Sequence, residues 1–274
     1  MTSITVLMDN IGERPYLAEH GLSFLVEIAH GPTILFDTGA SAKFMSNARI
    51  AECDLNRIDC VVISHGHNDH SGGYPALISS GIRKPLWTGS GFFTKKYRIH
   101  DQEARNIGAP FTQELLKEHQ IRWVEAEEPV CEMYPGVWLM SGFTALDDYV
   151  HVSDEFFVTD GSTWKPDTFH DEAVLVCAGS EGLLVIAGCC HPGVIPMLHT
   201  VHERFHVPIR AFMGGMHLGS TGKQELEKTL SEVCNLVTGE IGASHCTGKK
   251  AREYLAANRE SYIDLHSGAR ITCG

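Results

Sequence analysis

The sequence predicts an α/β fold, a four-layer αββα sandwich in which two mixed sheets pack face to face between outer helices. Two observations predict it. Strand pairs followed by helices occur twice along the 274 residues, and no Ser/Gly-rich linker separates the two occurrences. We therefore expect one domain over residues 1–274. The content of 43% hydrophobic and 20% charged residues is typical of a globular chain with a sizeable core.

The expected elements of the first half are short segments rich in β-branched and aromatic residues, bounded by Gly or Pro. The segment CVVIS at 60–64 is a continuous apolar run, which is typical of a strand buried on both faces. The expected strands lie at 4–9, 22–29, 33–39, 60–64 and 85–88. The expected helices lie at 41–49, 71–80 and 111–120.

The second half repeats this order after a middle segment, 121–142, that reads as strands broken by Pro and Gly. Residues 143–170 are polar and aromatic, have weak periodicity and are long for a connection, which favours a functional loop or lid. The expected strands of this half lie at 173–179, 183–188 and 209–215, and the expected helices at 192–206, 222–237 and 248–257.

The charge balance argues against two classes of partner. A formal net charge of −12 disfavours a protein that grips nucleic acid phosphates or anionic lipid, because both need a basic face. The chain has no basic start before an apolar core and no run of about 18 apolar residues. Nine cysteines without a Cys-x-x-Cys pair favour a reduced compartment over a disulfide framework. We expect a cytoplasmic protein that binds neither nucleic acid nor membrane.

The loop after CVVIS carries the strongest functional signal. It reads SHGHNDHSGG and contains His65, His67, Asp69 and His70. A solvated polar turn would not explain why an apolar strand leads into these side chains, or why glycines that let backbones approach closely accompany them. His65 and His67 alternate, so an extended loop can present both imidazoles to one side, and Asp69 and His70 begin the next helix. The pattern predicts a site for two divalent metal ions.

Zinc is the expected metal, although imidazole and carboxylate ligands also suit iron or manganese. Four ligands from one loop cannot complete two sites, so further ligands are expected at the ends of other strands. His191 in GCCHPG and His245 in ASHCTG lie at such ends and are predicted ligands. His217 in GGMHLGS is either a ligand or a group that orients a ligand or contacts substrate. Asp37 in FDTG is either a turn-forming residue or an acceptor for the free N–H of a metal-bound imidazole.

The segment GSGFFTKKYRIH at 89–100 is a local basic island in an acidic chain. It interleaves Lys95, Lys96 and Arg98 with aromatic residues. One interpretation is a solvated loop. The other is a contact for a phosphate or carboxylate group of a small-molecule substrate, with an aromatic ring stacked nearby. Because the sequence has no serine nucleophile elbow and no phosphate-cradling Gly-Lys-Ser string, a serine hydrolase and a nucleoside triphosphatase are disfavoured.

The string SHGHNDHSGG resembles the histidine motif of the metallo-β-lactamase superfamily, and Asp37, His191 and His245 extend the resemblance over most of the chain. The resemblance implies an αββα fold with a dinuclear metal site at one edge of the sandwich. The strings AEHGLSFLVE, GGMHL and SHCTG resemble a branch of metal-dependent hydrolases that includes an archaeal dihydropterin-ribofuranosylaminobenzene phosphate synthase. On the same resemblance, His20 is expected to reach the metal edge.

The chain departs from most dinuclear members in one place. Those members carry an isolated His before a strand pair and a bridging Asp at the end of its second strand, whereas here that strand ends in IAGCCH. Cys189 stands about where the bridging carboxylate is expected, and His170 or His191 is expected to supply the imidazole. Either Cys189 ligates as a thiolate or the second metal is weakly held.

The predicted activity is a metal-dependent hydrolase in which a metal-bound hydroxide attacks an ester, lactone or phosphoester of a small molecule. Asp69 and His217 are the predicted catalytic residues, and Asp69 can bind the second metal and then receive or deliver a proton. The resemblance implies an alternative, a transferase that condenses a pterin diphosphate with an arylamine. A non-catalytic metal-binding regulatory module is the second alternative.

Overall fold

The chain folds into two large sheets, a small third sheet and two layers of helices. The computed structural model describes residues 1–145 and 155–274. The strands within these residues are β1 (Thr2–Met8), β2 (Ser23–Ile28), β3 (Thr33–Phe36), β4 (Cys60–Ile63), β5 (Leu86–Gly89), β6 (Lys95–His100), β7 (Glu103–Asn106), β8 (Trp123–Ala126), β9 (Val130–Tyr134), β10 (Val137–Met140), β11 (Phe156–Thr159), β12 (Trp164–Pro166), β13 (Val174–Ala178), β14 (Leu183–Ala187), β15 (Ile209–Gly214), β16 (Ile241–Ala243), β17 (Tyr262–Asp264) and β18 (Arg270–Cys273). The helices there are α1 (Lys43–Ile50), α2 (Asn68–Ser71), α3 (Tyr74–Ser79), α4 (Gln113–Glu118), α5 (Val194–Phe205), α6 (Lys223–Leu236) and α7 (Lys249–Asn258), with 3₁₀ turns at Leu55–Arg57 and His245–Thr247.

Each large sheet joins an antiparallel part to a parallel part. The first sheet runs in the order β18-β1-β2-β3-β4-β5-β8, and β3, β4, β5 and β8 are its parallel strands. The second sheet runs in the order β17-β16-β15-β14-β13-β10-β9, and β14, β15, β16 and β17 are its parallel strands. The mixed sheets predicted from the sequence are therefore present in both halves.

The two large sheets pack face to face through a buried apolar layer. Phe24, Phe36 and Val62 of the first sheet contribute to this layer, together with Leu175 and Met213 of the second sheet. All five side chains are fully buried, and full burial of one such side chain contributes about 1.5–3 kcal/mol. This layer sets the distance between the strand ends of one sheet and those of the other.

Helices cover the outer face of each large sheet. Phe44 of α1 and Leu77 of α3 are buried against strand residues of the first sheet. Leu198 of α5 and Leu230 of α6 are buried against the second sheet. The order of layers is helix, sheet, sheet, helix, which confirms the predicted αββα sandwich. In the described parts of the chain, no helix is both long and apolar enough to cross a membrane.

The third sheet, in the order β12-β11-β6-β7, corrects two expectations from the sequence. Residues 89–100 contain the strand β6, so the solvated-loop interpretation is wrong over Lys95–His100. Residues 143–170 contain β11 and β12 and are therefore not a loop throughout, while residues 146–154 lie outside the described part of the chain. β11 pairs with β6 across a long stretch of sequence. Local residue patterns do not report such pairing, because cross-strand contacts stabilise these strands.

The helix expected at 71–80 is interrupted at Gly72 and Gly73, and α2 and α3 stand in its place. A Cβ atom at Gly73 would lie 2.2 Å from the carbonyl oxygen of Thr38, so the loop after β3 packs directly against this backbone. This close approach holds α2, with Asp69 and His70, against the end of β3. The strands β17 and β18 near the C-terminus have no counterpart among the expected elements.

We expect Arg252→Met to lower the free energy of unfolding by about 3–5 kcal/mol, because it leaves a buried carboxylate without its cation. Arg252 is 8% exposed. Its Nη2 atom lies 3.2 Å from Oδ1 of Asp9, and its Nη1 atom lies 2.7 Å from Oδ1 of Asp264. Equilibrium urea unfolding measures the change. The matched control is Lys249→Met on the same helix, where the ion pair with Glu253 is exposed. Equal losses of unfolding free energy in both variants would show that burial of the Arg252 ion pairs does not cause the loss.

Candidate metal centre

The candidate site lies where parallel strands of both large sheets end. The carboxyl ends of parallel strands in one sheet lie at the same edge, which is where α/β proteins bind their ligands. Face-to-face packing brings the edges of the two sheets together. The first sheet contributes Asp37 after β3 and His65 after β4, and the second contributes His191 after β14, His217 after β15 and His245 after β16.

One group of side chains that could hold a metal ion consists of His65, Cys189 and His191, whose ligand atoms lie within 4.8 Å of one another. The ring centroid of His67 lies 4.5 Å from that of His65 and 4.8 Å from that of His191. The Nε2 atoms of His65 and His67 are buried and have no hydrogen-bond partner among the described residues. A buried polar atom without a partner is costly, and a metal ion at this point would satisfy both nitrogens.

A second group of this kind consists of His70, Cys189 and His245. Nε2 of His70 lies 3.1 Å from Sγ of Cys189. Oδ2 of Asp69 lies 3.2 Å from Nε2 of His245 and 3.8 Å from Nε2 of His70. His20 joins a third group with Asp69 and His245. Its Nε2 lies 3.2 Å from Oδ2 of Asp69, although its side chain is 71% exposed. His20 therefore reaches the edge of the centre from the solvent side.

Cys189 belongs to both of the first two groups, so its thiol lies between them. This is the position at which the sequence lacks the expected bridging Asp. Burial, followed by the neighbouring thiol of Cys246, raises the pKa of Cys189 well above its ordinary value. A cation beside Sγ would favour the thiolate, which is the form that binds metals. Imidazoles, one carboxylate and one thiol form a donor set that fits zinc and also iron.

Hydrogen bonds at Nδ1 orient the imidazoles of the first sheet. Nδ1 of His70 donates to Oδ2 of Asp37 at 2.6 Å. Nδ1 of His65 donates to Oγ of Ser64 at 2.9 Å, and that hydroxyl donates to Oδ2 of Asp37 at 2.8 Å. Both contacts turn Nε2 toward the centre. The geometry favours Asp37 as an acceptor for ligand imidazoles over a residue that merely forms a turn.

Two residues without a sequence prediction orient the imidazoles of the second sheet. Nδ1 of His191 donates to Oε2 of Glu172 at 2.7 Å, and Nδ1 of His245 donates to Oδ1 of Asn10 at 2.8 Å. Glu172 also accepts the backbone N–H of Cys189 at 3.2 Å. Asn10 lies just beyond β1, and this strand-end position could have marked it as a residue of the site. Glu172 precedes its strand, so no strand-end signal marks it.

Burial and neighbouring charges set the ionisation of the centre. Burial would raise the pKa of Asp69, but the charge of His70 and hydrogen bonds from His20 and His245 hold that pKa well below its ordinary value. Asp69 is therefore a carboxylate, the form that can bind a metal. Burial would lower the pKa of His70, but the carboxylates of Asp37 and Asp69 raise it to about 9.

Several residues of the centre have a left-handed backbone conformation, which costs about 1–3 kcal/mol for a residue other than glycine. They are Asp37 (φ 58°), Cys190 (φ 59°), His217 (φ 50°) and His245 (φ 46°). Each lies just beyond a strand, where the chain turns sharply. Such strain persists where the surrounding structure dictates the geometry, and its concentration at this edge agrees with a functional site.

His217 and His170 lie beside the centre. The ring centroid of His217 lies 4.8 Å from that of His191. Burial, and then the charge of His191, lower the pKa of His217 to about 3, so its imidazole is neutral. Neither residue belongs to a donor group formed by the described residues. The geometry thus favours a substrate contact for His217, and it places His191 rather than the exposed His170 among the donors.

The three residues of the predicted anion contact have different surroundings. Lys95 is exposed. Arg98 is paired with Glu155, with 2.7 Å between Nη2 and Oε2. Lys96 is only 2% exposed, and two buried aspartates neutralise its ammonium group. Because its charge is already paired inside the protein, the structure does not favour the predicted contact between Lys96 and an anionic substrate.

A cavity of about 410 Å³ opens beside His191. Its lining combines the aromatic rings of Phe143 and Phe169 with polar groups from Thr144 and His170. The ring of Phe169 stacks on the imidazole of His191, with centroids 4.3 Å apart and planes 5° apart. Apolar walls with a few polar groups are typical of small-molecule sites, and the volume lies in their usual range.

We expect the metal-free protein to lose stability as the pH falls from 6.5, the ordinary pKa of histidine, to about 5. Burial lowers the pKa of several imidazoles here, so they are neutral in the folded chain and take up protons when it unfolds. The unfolding free energy therefore rises with pH in this window. These residues are His65, His67, His191, His217 and His245. His70, whose pKa is raised to about 9, is largely protonated in both states below pH 6.5 and adds little there. The buried carboxyls with raised pKa values, Glu172 at about 7 together with Asp9, Asp37 and Asp171, act in the opposite sense, so the slope is smaller than the imidazoles alone would give.

Urea unfolding across this window, in the presence of a chelator, measures the dependence. His245→Gln should reduce the slope by about one proton, because it removes one of the neutral buried imidazoles. An unfolding free energy that is flat, or that falls as the pH rises, would show that these imidazoles are not held neutral by burial.

Comparison with known proteins identifies the fold family. A profile described as the Metallo-beta-lactamase superfamily matches residues 17–168, which is more than half of the chain. A crystal structure of a metal-dependent hydrolase of the beta-lactamase superfamily is 30% identical, with a TM-score of 0.87, and the match covers 100% of this chain and 99% of that chain. An isothiocyanate hydrolase from Delia radicum gut bacteria, 15% identical with a TM-score of 0.56, covers 100% of this chain and 99% of its own and is similar in fold alone.

A relative of known reaction is also similar over nearly its whole length. The 7,8-dihydropterin-6-methyl-4-(beta-D-ribofuranosyl)-aminobenzene-5'-phosphate synthase of Methanocaldococcus jannaschii is 25% identical over 272 residues, which covers 94% of this chain and 91% of the synthase. The family profile, the full-length structural match and the sandwich architecture agree, and the chain belongs to the metallo-β-lactamase superfamily.

Proposed function

We propose that this protein is a metal-dependent hydrolase that cleaves an ester, lactone or phosphoester bond in a small molecule. One observation carries the proposal. The buried Nε2 atoms of His65 and His67 have no hydrogen-bond partner among the described residues, although the hydroxyl of Ser64 holds the Nδ1 proton of His65. Orienting an imidazole in this way and leaving its lone pair unsatisfied is a costly arrangement for a structural histidine. It is the usual arrangement of a metal ligand.

The donor groups divide naturally between two ions, for which zinc is the first choice. A divalent ion in such a site supplies an acidified water molecule and polarises the bond under attack. The proposed ligands are His65, His67 and His191 for one ion and Asp69, His70 and His245 for the other, with Cys189 shared between them.

Asp69 is the proposed proton carrier. Its Oδ2 atom faces the donor group and also lies 3.2 Å from Nε2 of His20, whose side chain is largely in solvent. A proton held at Oδ2 therefore has a hydrogen-bonded route out of the centre. His217 is the proposed substrate contact, because its neutral imidazole lies against His191 and can form a hydrogen bond with a polar substrate group.

The cavity beside His191 is the proposed substrate site. It is adjacent to an imidazole of the first donor group, and Phe143 and Phe169 give it apolar walls. A substrate seated there would place its scissile bond near the donor groups, while its apolar part contacts the aromatic rings.

The runner-up function is a transferase that condenses a pterin diphosphate with an arylamine. The synthase of Methanocaldococcus jannaschii favours it, since the similarity to that enzyme extends over nearly the full length of both chains. The same donor groups suit either reaction. A site that polarises a phosphoryl bond can promote attack by water, as in hydrolysis, or departure of a diphosphate, as in the condensation.

Metal content tests the ligand assignment. Protein reconstituted with zinc is expected to hold about two equivalents, and His65→Ala and His245→Ala about one each, because each variant removes a ligand from a different group. Elemental analysis after gel filtration measures the content. The control is His202→Ala, which changes an exposed histidine of α5.

Two results would count against the proposal. Wild-type protein with less than about half an equivalent after reconstitution would contradict the enzyme proposal itself. Two full equivalents in both ligand variants would show that the assignment of ligands is wrong.

Turnover tests the reaction class. Metal-loaded protein is expected to hydrolyse a member of a panel of lactones, aryl esters and phosphodiesters. Asp69→Asn is expected to reduce kcat by about 10²-fold or more, because the amide cannot carry the proton. Product release is followed chromatographically. Turnover that requires a pterin diphosphate and an arylamine together would favour the transferase.

A further inference from the structure

A buried ion cluster lies next to the histidine loop. Nζ of Lys96 lies 2.7 Å from Oδ2 of Asp167 and 2.8 Å from Oδ1 of Asp171. All three side chains are at most 4% exposed. Lysine and aspartate are almost never fully buried, and replacing a buried ion pair with apolar residues is often neutral or stabilising. A need for stability alone therefore does not explain this cluster.

The second carboxylate oxygen of Asp171 accepts a hydrogen bond from the histidine loop, the segment that carries His65, His67, Asp69 and His70. Oδ2 of Asp171 accepts the backbone N–H of Gly66 at 2.7 Å. Gly66 stands between His65 and His67 in the sequence. An unbroken chain of contacts thus runs from the ammonium group of Lys96, through one carboxylate, to the peptide that carries both histidines.

The surroundings of Gly66 make this hydrogen bond hard to replace. A Cβ atom at Gly66 would lie 2.5 Å from the carbonyl oxygen of Phe92 and 3.3 Å from Oδ2 of Asp171, so the peptide is enclosed on that side. The backbone of β6 reinforces the contact. The carbonyl oxygen of Lys96 accepts the N–H of Ile107, whose own carbonyl oxygen accepts the N–H of Asn68. Asp171 and the segment just after β7 therefore hold the histidine loop on the two sides of His67.

We propose that Asp171, held in place by Lys96, is a positioning residue that fixes the Gly66 peptide and thereby aims the imidazoles of His65 and His67 at their shared metal ion. This inference rests on the proposed metal centre. Asp171 itself is not a proposed ligand, and the peptide that it bonds lies between His65 and His67, two proposed ligands of the same ion. Its loss should therefore weaken one ion selectively. A residue needed only for overall stability would have no such preference.

The test is stepwise zinc affinity, measured in the full-length chain by competition with a chromogenic chelator. In Asp171→Ala, Lys96 keeps Asp167 as a partner, so the fold retains a neutralised lysine. We expect the affinity for one of the two ions to fall by about 10- to 100-fold, the usual effect of losing a group that orients a ligand. Asp101→Ala, at the exposed turn between β6 and β7, is the control and should leave both affinities unchanged.

Single-site backgrounds identify the affected ion. In His245→Ala, which keeps the His65 and His67 group, adding Asp171→Ala should weaken the remaining ion by the same factor. In His65→Ala, which keeps the other group, it should change the affinity by less than about twofold. Asp171→Asn retains an acceptor for Gly66 and should give an intermediate loss, which provides a readout if the alanine variant folds poorly.

The outcomes separate this inference from the proposed function. Wild-type protein that takes up no zinc would contradict the metal centre and the inference together. Normal wild-type uptake with unchanged affinities in Asp171→Ala and Asp171→Asn would contradict the inference alone. Equal weakening in both single-site backgrounds would also overturn it, because it would indicate a general loss of structure.

Discussion

A buried imidazole can ligate a cation only when its proton is held on the other ring nitrogen. Asp37 meets this need for two histidines, directly for His70 and through Ser64 for His65. Glu172 does the same for the histidine after β14. These acceptors are themselves buried, and a buried carboxylate is costly unless it is hydrogen-bonded, so each acceptor and its imidazole stabilise one another.

The packing of the two large sheets supplies the second requirement, which is distance. His65 and His70 follow strands of the first sheet, whereas Cys189 follows a strand of the second, and yet Nε2 of His70 lies 3.1 Å from Sγ of Cys189. The apolar layer between the sheets sets this separation, because its side chains are close-packed and resist compression. Substitutions in that layer can therefore change the spacing of donors they do not touch.

Membership of the superfamily establishes the fold without establishing the reaction, since one scaffold can host many chemistries. The features of this chain that bear on its reaction lie at the candidate metal centre. A thiol, Cys189, lies between the donor groups, and a neutral His217 and an aromatic cavity lie beside them. The small third sheet carries Lys96 and forms part of the support for the histidine loop. Lys96 pairs with Asp167, which lines the cavity, and with Asp171, which accepts a hydrogen bond from Gly66 in the histidine loop.

The layered architecture and the place of the histidine loop could be predicted from the sequence alone, because both depend on local order: apolar strands, helical periodicity, and metal-binding side chains directly after a strand. The sequence also indicated His191 and His245 by their strand-end positions. The hydrogen bonds by which Glu172 and Asn10 orient those histidines, and the internal ion pairs of Lys96, could not be predicted from the sequence. Hydrogen bonds and ion pairs between distant segments leave no periodic trace in the sequence, so they become visible only when packing brings their partners together.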